Sequence, residues 1–211
     1  MKQGVAIVLL AVAVAACHQP ISPEALHQWQ SQTVYTCCNI HYEKSEVSDA
    51  NYYVGSLLPF GTQATVEKGT NDSLTFRAGG TELTLVHSYG RDQESGQQYF
   101  SKVLVTTDPH AAFASYPKDV QSAITDSRVE VGMTKPQVIM SLGYPATHRT
   151  ASTDLNTWTY WYNRWVTYQV IFADDGKVAN LVGNAPTRNQ PIVAAPTPAP
   201  VPVRPVHRKK K

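Results

Sequence analysis

Gly132-Met133-Thr134-Lys135-Pro136-Gln137-Val138 is a stretch in which every local signal marks the start of a helix. Thr134 is a natural N-cap, Gln137 three residues on completes a capping box, and Pro136 is tolerated because first-turn amides have no intrahelical acceptor. Val138 and Leu142 then form an apolar stripe, and Gly143 with Pro145 ends the helix. Three strands are expected next. In Thr157 to Tyr162, residues Trp158, Tyr160 and Tyr162 share a face; in Val166 to Phe172, residues Val166, Tyr168, Val170 and Phe172 do; Lys177 to Val182 is the third. Asp175-Gly176 supplies a tight hairpin turn between the last two. Upstream, Ser115 is expected to cap a short helix with Pro117 in its first turn and Val120 and Ile124 on one face, before an extended Arg128 to Val131. Residues 115–183 therefore read as two helices followed by a three-stranded antiparallel meander.

Four motifs in this unit fall in order: Gly132-Met133-Thr134-Lys135-x-Gln137-Val138, Leu142-Gly143-x-Pro145, Trp158-x-Tyr160, and Phe172-x-Asp174-Asp175-Gly176-Lys177-Val178. Together they resemble the BamE (SmpA/OmlA) family, small outer-membrane lipoproteins of the β-barrel assembly machinery. The resemblance implies two helices packed on a three-stranded antiparallel sheet, an outer-membrane location on the periplasmic face, and an envelope protein partner such as that machinery. Its residues are a helix cap, a helix stop, core aromatics and a hairpin turn, so they specify a fold and not a ligand. The same unit occurs in BLIP-like inhibitors. Here it is preceded by a β-rich segment and followed by a basic tail.

The β-rich segment covers about residues 30–108. Tyr52, Tyr53, Val54, Leu57 and Leu58 precede a Pro59-Phe60-Gly61 break; Ala64 to Val66, Leu74 to Phe76 and Leu83 to Val86 follow, separated by Gly69-Thr70-Asn71-Asp72 and Gly79-Gly80 turns. Short alternating strands with frequent turns point to a small antiparallel barrel. The order Val54-Gly55-Ser56-Leu57-Leu58-Pro59-Phe60-Gly61-Thr62 then Val66 resembles bacterial SH3-like modules. The expected fold class is α+β: a small SH3-like antiparallel β-barrel followed by a BamE-like domain of two helices packed on a three-stranded antiparallel sheet.

The flanks carry the addressing signals. Met1-Lys2 and the apolar run Val5 to Ala16 read as a secretory signal, too short for the ~20 residues needed to span a bilayer. Val14-Ala15-Ala16-Cys17 resembles the lipobox of bacterial lipoproteins, which implies lipidation at Cys17 and membrane attachment through the acyl chains. The organisation is then residues 1–16 signal peptide, 17–29 linker, 30–108 β-rich domain, 115–183 α+β domain and 186–211 tail. The formal charge of the 211-residue chain is +2, yet residues 17–186 carry eleven Lys and Arg against all sixteen Asp and Glu, so an acidic body bears a basic tail. That balance argues against a nucleic-acid partner. Seven of the 14 prolines lie from Pro186 to Pro205, favouring an extended polyproline II spacer. It ends in a cationic tip that includes Arg204, Arg208, Lys209, Lys210 and Lys211, suited to peptidoglycan, anionic lipid or an acidic protein.

The seven histidines and three cysteines show no His-x-x-x-His or Cys-x-x-Cys spacing, so no metal site is expected, and no phosphate loop or nucleophile motif points to a cofactor or to an enzyme. Cys37 and Cys38, read as part of a strand, would face opposite ways, and adjacent cysteines do not make an unstrained bridge; the expectation is two free thiols or a bond to another chain. Trp161, Arg164 and Trp165 break the alternation at the first hairpin and have interface-like composition, with Arg164 able to grip a carboxylate or phosphate. The alternative is that Trp161 packs on the helices and Trp165 covers an edge. The leading expectation is a non-catalytic scaffold or assembly factor of the cell envelope; the alternative is an inhibitor or peptidoglycan-binding module using the β-rich domain and the tail.

Overall fold

A computed structural model of the chain describes residues 21–188. Cys17 and the tail residues Arg204, Arg208, Lys209, Lys210 and Lys211 lie outside the described residues. The first half contains α1 (Pro23–Ser31), β1 (Val34–Thr36), β2 (Ile40–Tyr42), β3 (Glu46–Ser48), β4 (Ser56–Leu58), β5 (Gln63–Gly69), β6 (Ser73–Ala78), β7 (Thr81–Val86), α2 (Gly96–Val103) and β8 (Leu104–Val105). The second contains α3 (His110–Ala114), α4 (Lys118–Thr125), α5 (Lys135–Leu142), β9 (Thr157–Asn163), β10 (Val166–Phe172) and β11 (Val178–Gly183). The protein is α+β.

In the first half, strands run in the order β3-β7-β6-β5-β1-β8, and β2 pairs with β4 separately. Alternation decides which face is buried: Leu74, Phe76, Leu83 and Leu85 are all fully buried, with Leu74 opposite Leu85 and Phe76 opposite Leu83. Trp29 of α1 and Tyr99, Phe100 and Val103 of α2 complete this core. Three features differ from the sequence reading. Residues 17–29 were expected to be a linker, but Pro23 begins α1, because Ser22 Oγ accepts the Ala25 amide at 3.1 Å and proline suits a first turn. The curled sheet is also not purely antiparallel, since β3 lies parallel to β7. Finally, Cys37 and Cys38 are bonded to each other, and neither is a free thiol or a link to another chain. They occupy a bend between β1 and β2 and not a strand, so side-chain alternation does not separate them.

In the second half, β10 is the centre of a three-stranded antiparallel sheet. Trp158 opposes Val170 and Tyr160 opposes Tyr168 across β9 and β10, and all four pack on Ala123 and Ile124 of α4 and Val138 and Leu142 of α5. Thr134 donates its amide to Gln137 Oε1 at 2.8 Å, the expected start of α5. Lys135 in its first turn lies 5.7 Å from the Trp158 ring and 5.4 Å from the Phe172 ring, covering the core with a cation. Contrary to expectation, Ser115 does not cap the helix that follows it. It ends α3, donating from Oγ to Ala112 O at 2.6 Å, and α4 begins beyond Pro117.

The two cores are joined by hydrogen bonds at the C-terminal end of α5. Asn39 donates from its amide to Met140 O (3.0 Å) and from Nδ2 to Ser141 O (3.2 Å) and Ile124 O (2.6 Å), while Oδ1 accepts the Phe60 amide (3.0 Å). Asn51 Nδ2 donates to Leu142 O and Tyr144 O, each at 2.8 Å. Gly143 lies between these two carbonyls with φ +76°, and a Cβ there would meet Asn51 Nδ2 at 2.9 Å, so glycine is needed for both conformation and space. Phe60, from the first half, is buried in the second core, with its ring 4.7 Å from that of Phe113. Nearby, Ser127 Oγ donates to Ser141 O at 3.0 Å and therefore accepts from His41 Nε2 at 2.9 Å. Burial pushes the His41 pKa down to about 4, leaving a neutral ring.

Two measurements test this junction. Asn39→Ala leaves the Phe60 amide without its acceptor and removes one of the donors to Ile124 O and Ser141 O, and is expected to lose about 2 kcal/mol in urea unfolding; a variant within about 0.5 kcal/mol of wild type contradicts the assignment. Because His41 binds its proton more weakly folded than unfolded, stability falls as pH drops from 6.5 towards 4. Over that window the wild type should lose about 3 kcal/mol more than His41→Gln, which keeps a donor in place of Nε2; parallel pH profiles would show that His41 does not titrate with unfolding.

Candidate interaction site

The turn between β9 and β10 is held by Asn163, whose Oδ1 accepts the amides of Trp165 (2.9 Å) and Val166 (3.0 Å). That asparagine satisfies the turn by itself, so the side chains of Arg164 and Trp165 are not needed to hold it. Trp165 is 84% exposed and covers no sheet edge. Arg164 is exposed and forms no ion pair or side-chain hydrogen bond among the described residues.

Trp161 occupies a different environment. Its ring is partly buried, with the Arg149 guanidinium 5.1 Å above it, His148 stacked at 6.3 Å and Tyr52 edge-on at 6.4 Å. Its carbonyl accepts the Tyr53 amide at 3.0 Å. Trp161 therefore packs at the seam between the two halves and not against the helices. Of the three residues singled out by composition, Arg164 and Trp165 are exposed and Trp161 is half-buried.

Arg164 also faces a cleft of about 510 Å³ at the seam, where Tyr42, Glu43, Lys44 and Glu46 from the β2–β3 region meet Tyr52 and Tyr89. The tyrosine hydroxyls are 3.5 Å apart. Burial, then the contact with Tyr89, pushes the Tyr52 pKa up to about 12, and the positive charge of Arg164 acts the other way. Tyr52 is thus a neutral hydrogen-bonding group at ordinary pH. The cleft mixes both signs of charge with aromatic faces, which suits recognition of a polypeptide surface better than concentration of one small ion.

Tyr89 is placed by a buried ion pair that has no sequence motif. The Asp49 carboxylate accepts the amides of Ser88 (2.9 Å), Tyr89 (3.0 Å) and Gly90 (2.9 Å), and lies 2.9 Å from His87 Nδ1. His87 Nε2 faces Glu94 O at 2.9 Å. The Asp49 carboxylate beside Nδ1 and the Glu94 carbonyl at Nε2 both favour the protonated form of the His87 ring. Burial opposes charge on both partners, but the His87 contact and the three amides outweigh it and lower the Asp49 pKa, while the Asp49 contact and the Glu94 carbonyl raise that of His87. Asp49 and His87 are 38 positions apart, so spacing gave no indication of them.

Neither the curated proteins nor the solved structures give a match to the chain. A family model does: residues 125–181 match the outer membrane protein assembly factor BamE domain. The matched stretch contains α5, β9, β10 and most of β11, and with them Trp161, Arg164 and Trp165; Tyr52, Tyr89 and the β2–β3 wall of the cleft lie before it. The C-terminal unit, which presents the Arg164–Trp165 turn, is a BamE-like domain.

Proposed function

We propose that this chain is a non-catalytic assembly factor or scaffold of the cell envelope, held at the periplasmic face of the outer membrane by acyl chains on Cys17. The observation that carries the reading is the BamE-domain match over residues 125–181, on the domain whose β9–β10 turn exposes Arg164 and Trp165. An exposed tryptophan beside an unpaired arginine supports protein recognition, because such residues release the most free energy when a partner desolvates them. Arg164 and Trp165 make the contact, Trp161 supports them, and the seam cleft takes a neighbouring part of the partner. The SH3-like first half widens the contact surface. The cationic tip of Arg204, Arg208 and Lys209 to Lys211 adds salt-dependent attraction to anionic lipid or peptidoglycan.

Crosslinking in intact cells, followed by mass spectrometry, is expected to recover outer-membrane barrel-assembly proteins with the wild type. The Arg164→Ala, Trp165→Ala double variant should recover at least tenfold less while keeping the wild-type unfolding midpoint. Equal recovery, or recovery of peptidoglycan or a hydrolase in place of assembly proteins, overturns the proposal. Metabolic labelling with an acyl-chain analogue should mark the wild type and leave Cys17→Ser unmarked; label on both would refute the anchor.

A further inference from the structure

The bonded pair Cys37 and Cys38 plays no part in the proposed interaction surface, yet its surroundings are asymmetric in a way that matters chemically. It occupies the bend between β1 and β2, with the Cys37 amide donating to Val103 O at 2.9 Å. Cys38 is 2% exposed. Cys37 is only partly buried and lines a groove of about 630 Å³ with Gln28, Trp29, Leu104, Val105 and Pro109. At this groove β8 is the outermost strand of its sheet, so among the described residues no further strand covers the approach. One sulfur of the bridge is therefore reachable and the other is not.

We propose that Cys37–Cys38 is a thiol–disulfide exchange site that accepts two electrons from the dithiol of a partner protein entering this groove. A thiolate of the partner attacks Cys37 Sγ and forms a mixed disulfide as the Cys37–Cys38 bond breaks. The electron pair leaves on Cys38 Sγ, which takes up a proton because its buried position disfavours the thiolate. The second partner thiolate then attacks the partner's own sulfur in the mixed disulfide. Cys37 is released and protonated, and the partner departs with a disulfide. The balance is one dithiol oxidised, one bridge reduced to two thiols, and two protons transferred with two electrons.

The reduction has a structural consequence through the next residue. The bridge restrains the bend that delivers Asn39 to the carbonyls of Ile124, Met140 and Ser141. Opening it loosens the attachment between the two halves, so the oxidised form is the one in which the seam is held.

The test uses the full chain, isolated without reductant and with free thiols blocked at lysis, and reduced glutathione as the probe. Peptide mass spectrometry should find residues 37 and 38 joined. Brief glutathione treatment followed by acid quenching should place the adduct on Cys37 at least tenfold more often than on Cys38. In Cys38→Ser, Cys37 should still take glutathione from its disulfide form; in Cys37→Ser, Cys38 should take at least tenfold less. Full reduction by dithiothreitol should speed hydrogen exchange of the Asn39 amide at least tenfold. Free thiols at both positions in the isolated protein, a bond from either cysteine to another chain, or equal adducts on both sulfurs would each overturn the proposal.

Discussion

The carbonyl groups at the end of α5 are the constraint around which the chain is arranged. Five consecutive acceptors, from Met140 to Tyr144, must find donors outside their own helix or be left unpaired in a buried region. Asn39 supplies two of these donors and Asn51 serves two more carbonyls through one amide nitrogen. Ser127 Oγ reaches Ser141 O, and Tyr160 Oη reaches Gly143 O at 2.9 Å. Both asparagines come from the first half. A BamE-like unit in this chain is thus completed by residues outside it, and the first half belongs to the same folded structure.

This arrangement also shapes the seam cleft. Since Asn39, Asn51 and Phe60 fix one half on the other, the β2–β3 region and Arg164 of the β9–β10 turn line one cleft. Tyr52 extends the contact by pairing with Trp161, and Tyr89 is brought to the same place by the charge pair of Asp49 and His87. Asp49, Tyr52, His87 and Tyr89 are all far in sequence from Arg164. The relative position of the halves therefore sets the shape of the site, and a loss at the α5 end would be felt there without any change in a surface residue.

What could be read from the residues follows from the range of each interaction. The cap at Thr134, the stop at Gly143, the Asp175-Gly176 turn and the alternation in β9 and β10 depend on neighbours a few positions apart, and those elements form as expected. Ser115 was assigned the wrong helix because Pro117 suits either a first turn or the residue before one, and the preceding chain forms α3. The parallel placement of β3 beside β7 has no local signature at all. Asn39 and Asn51 bond partners 85 to 102 residues away, and a single asparagine in a loop gives no sign of such a partner. Among the candidate site residues, composition selected Trp161, Arg164 and Trp165 together, and it could not tell that Trp161 lies at the seam while Arg164 and Trp165 are exposed, because that difference is set by Tyr52, His148 and Arg149 at distant or separate positions.

The two ends of the β9–β10 hairpin make opposite demands on sequence. At its base, Trp158, Tyr160, Tyr168 and Val170 are fixed by the core and cannot vary without disturbing the packing on α4 and α5. At its tip, Asn163 satisfies both amides of the turn, so residues 164 and 165 are under no requirement from the fold. A polar residue at position 165 would serve the turn equally well and would not expose an aromatic ring to water. Covering that ring with a partner removes on the order of 150 Å² of apolar surface from water and releases roughly 4 kcal/mol before the costs of association. The tip is a place on this domain where the fold asks little of the side chains, and the exposed ring of Trp165 next to a guanidinium unpaired among the described residues is what the proposed contact with another molecule would use.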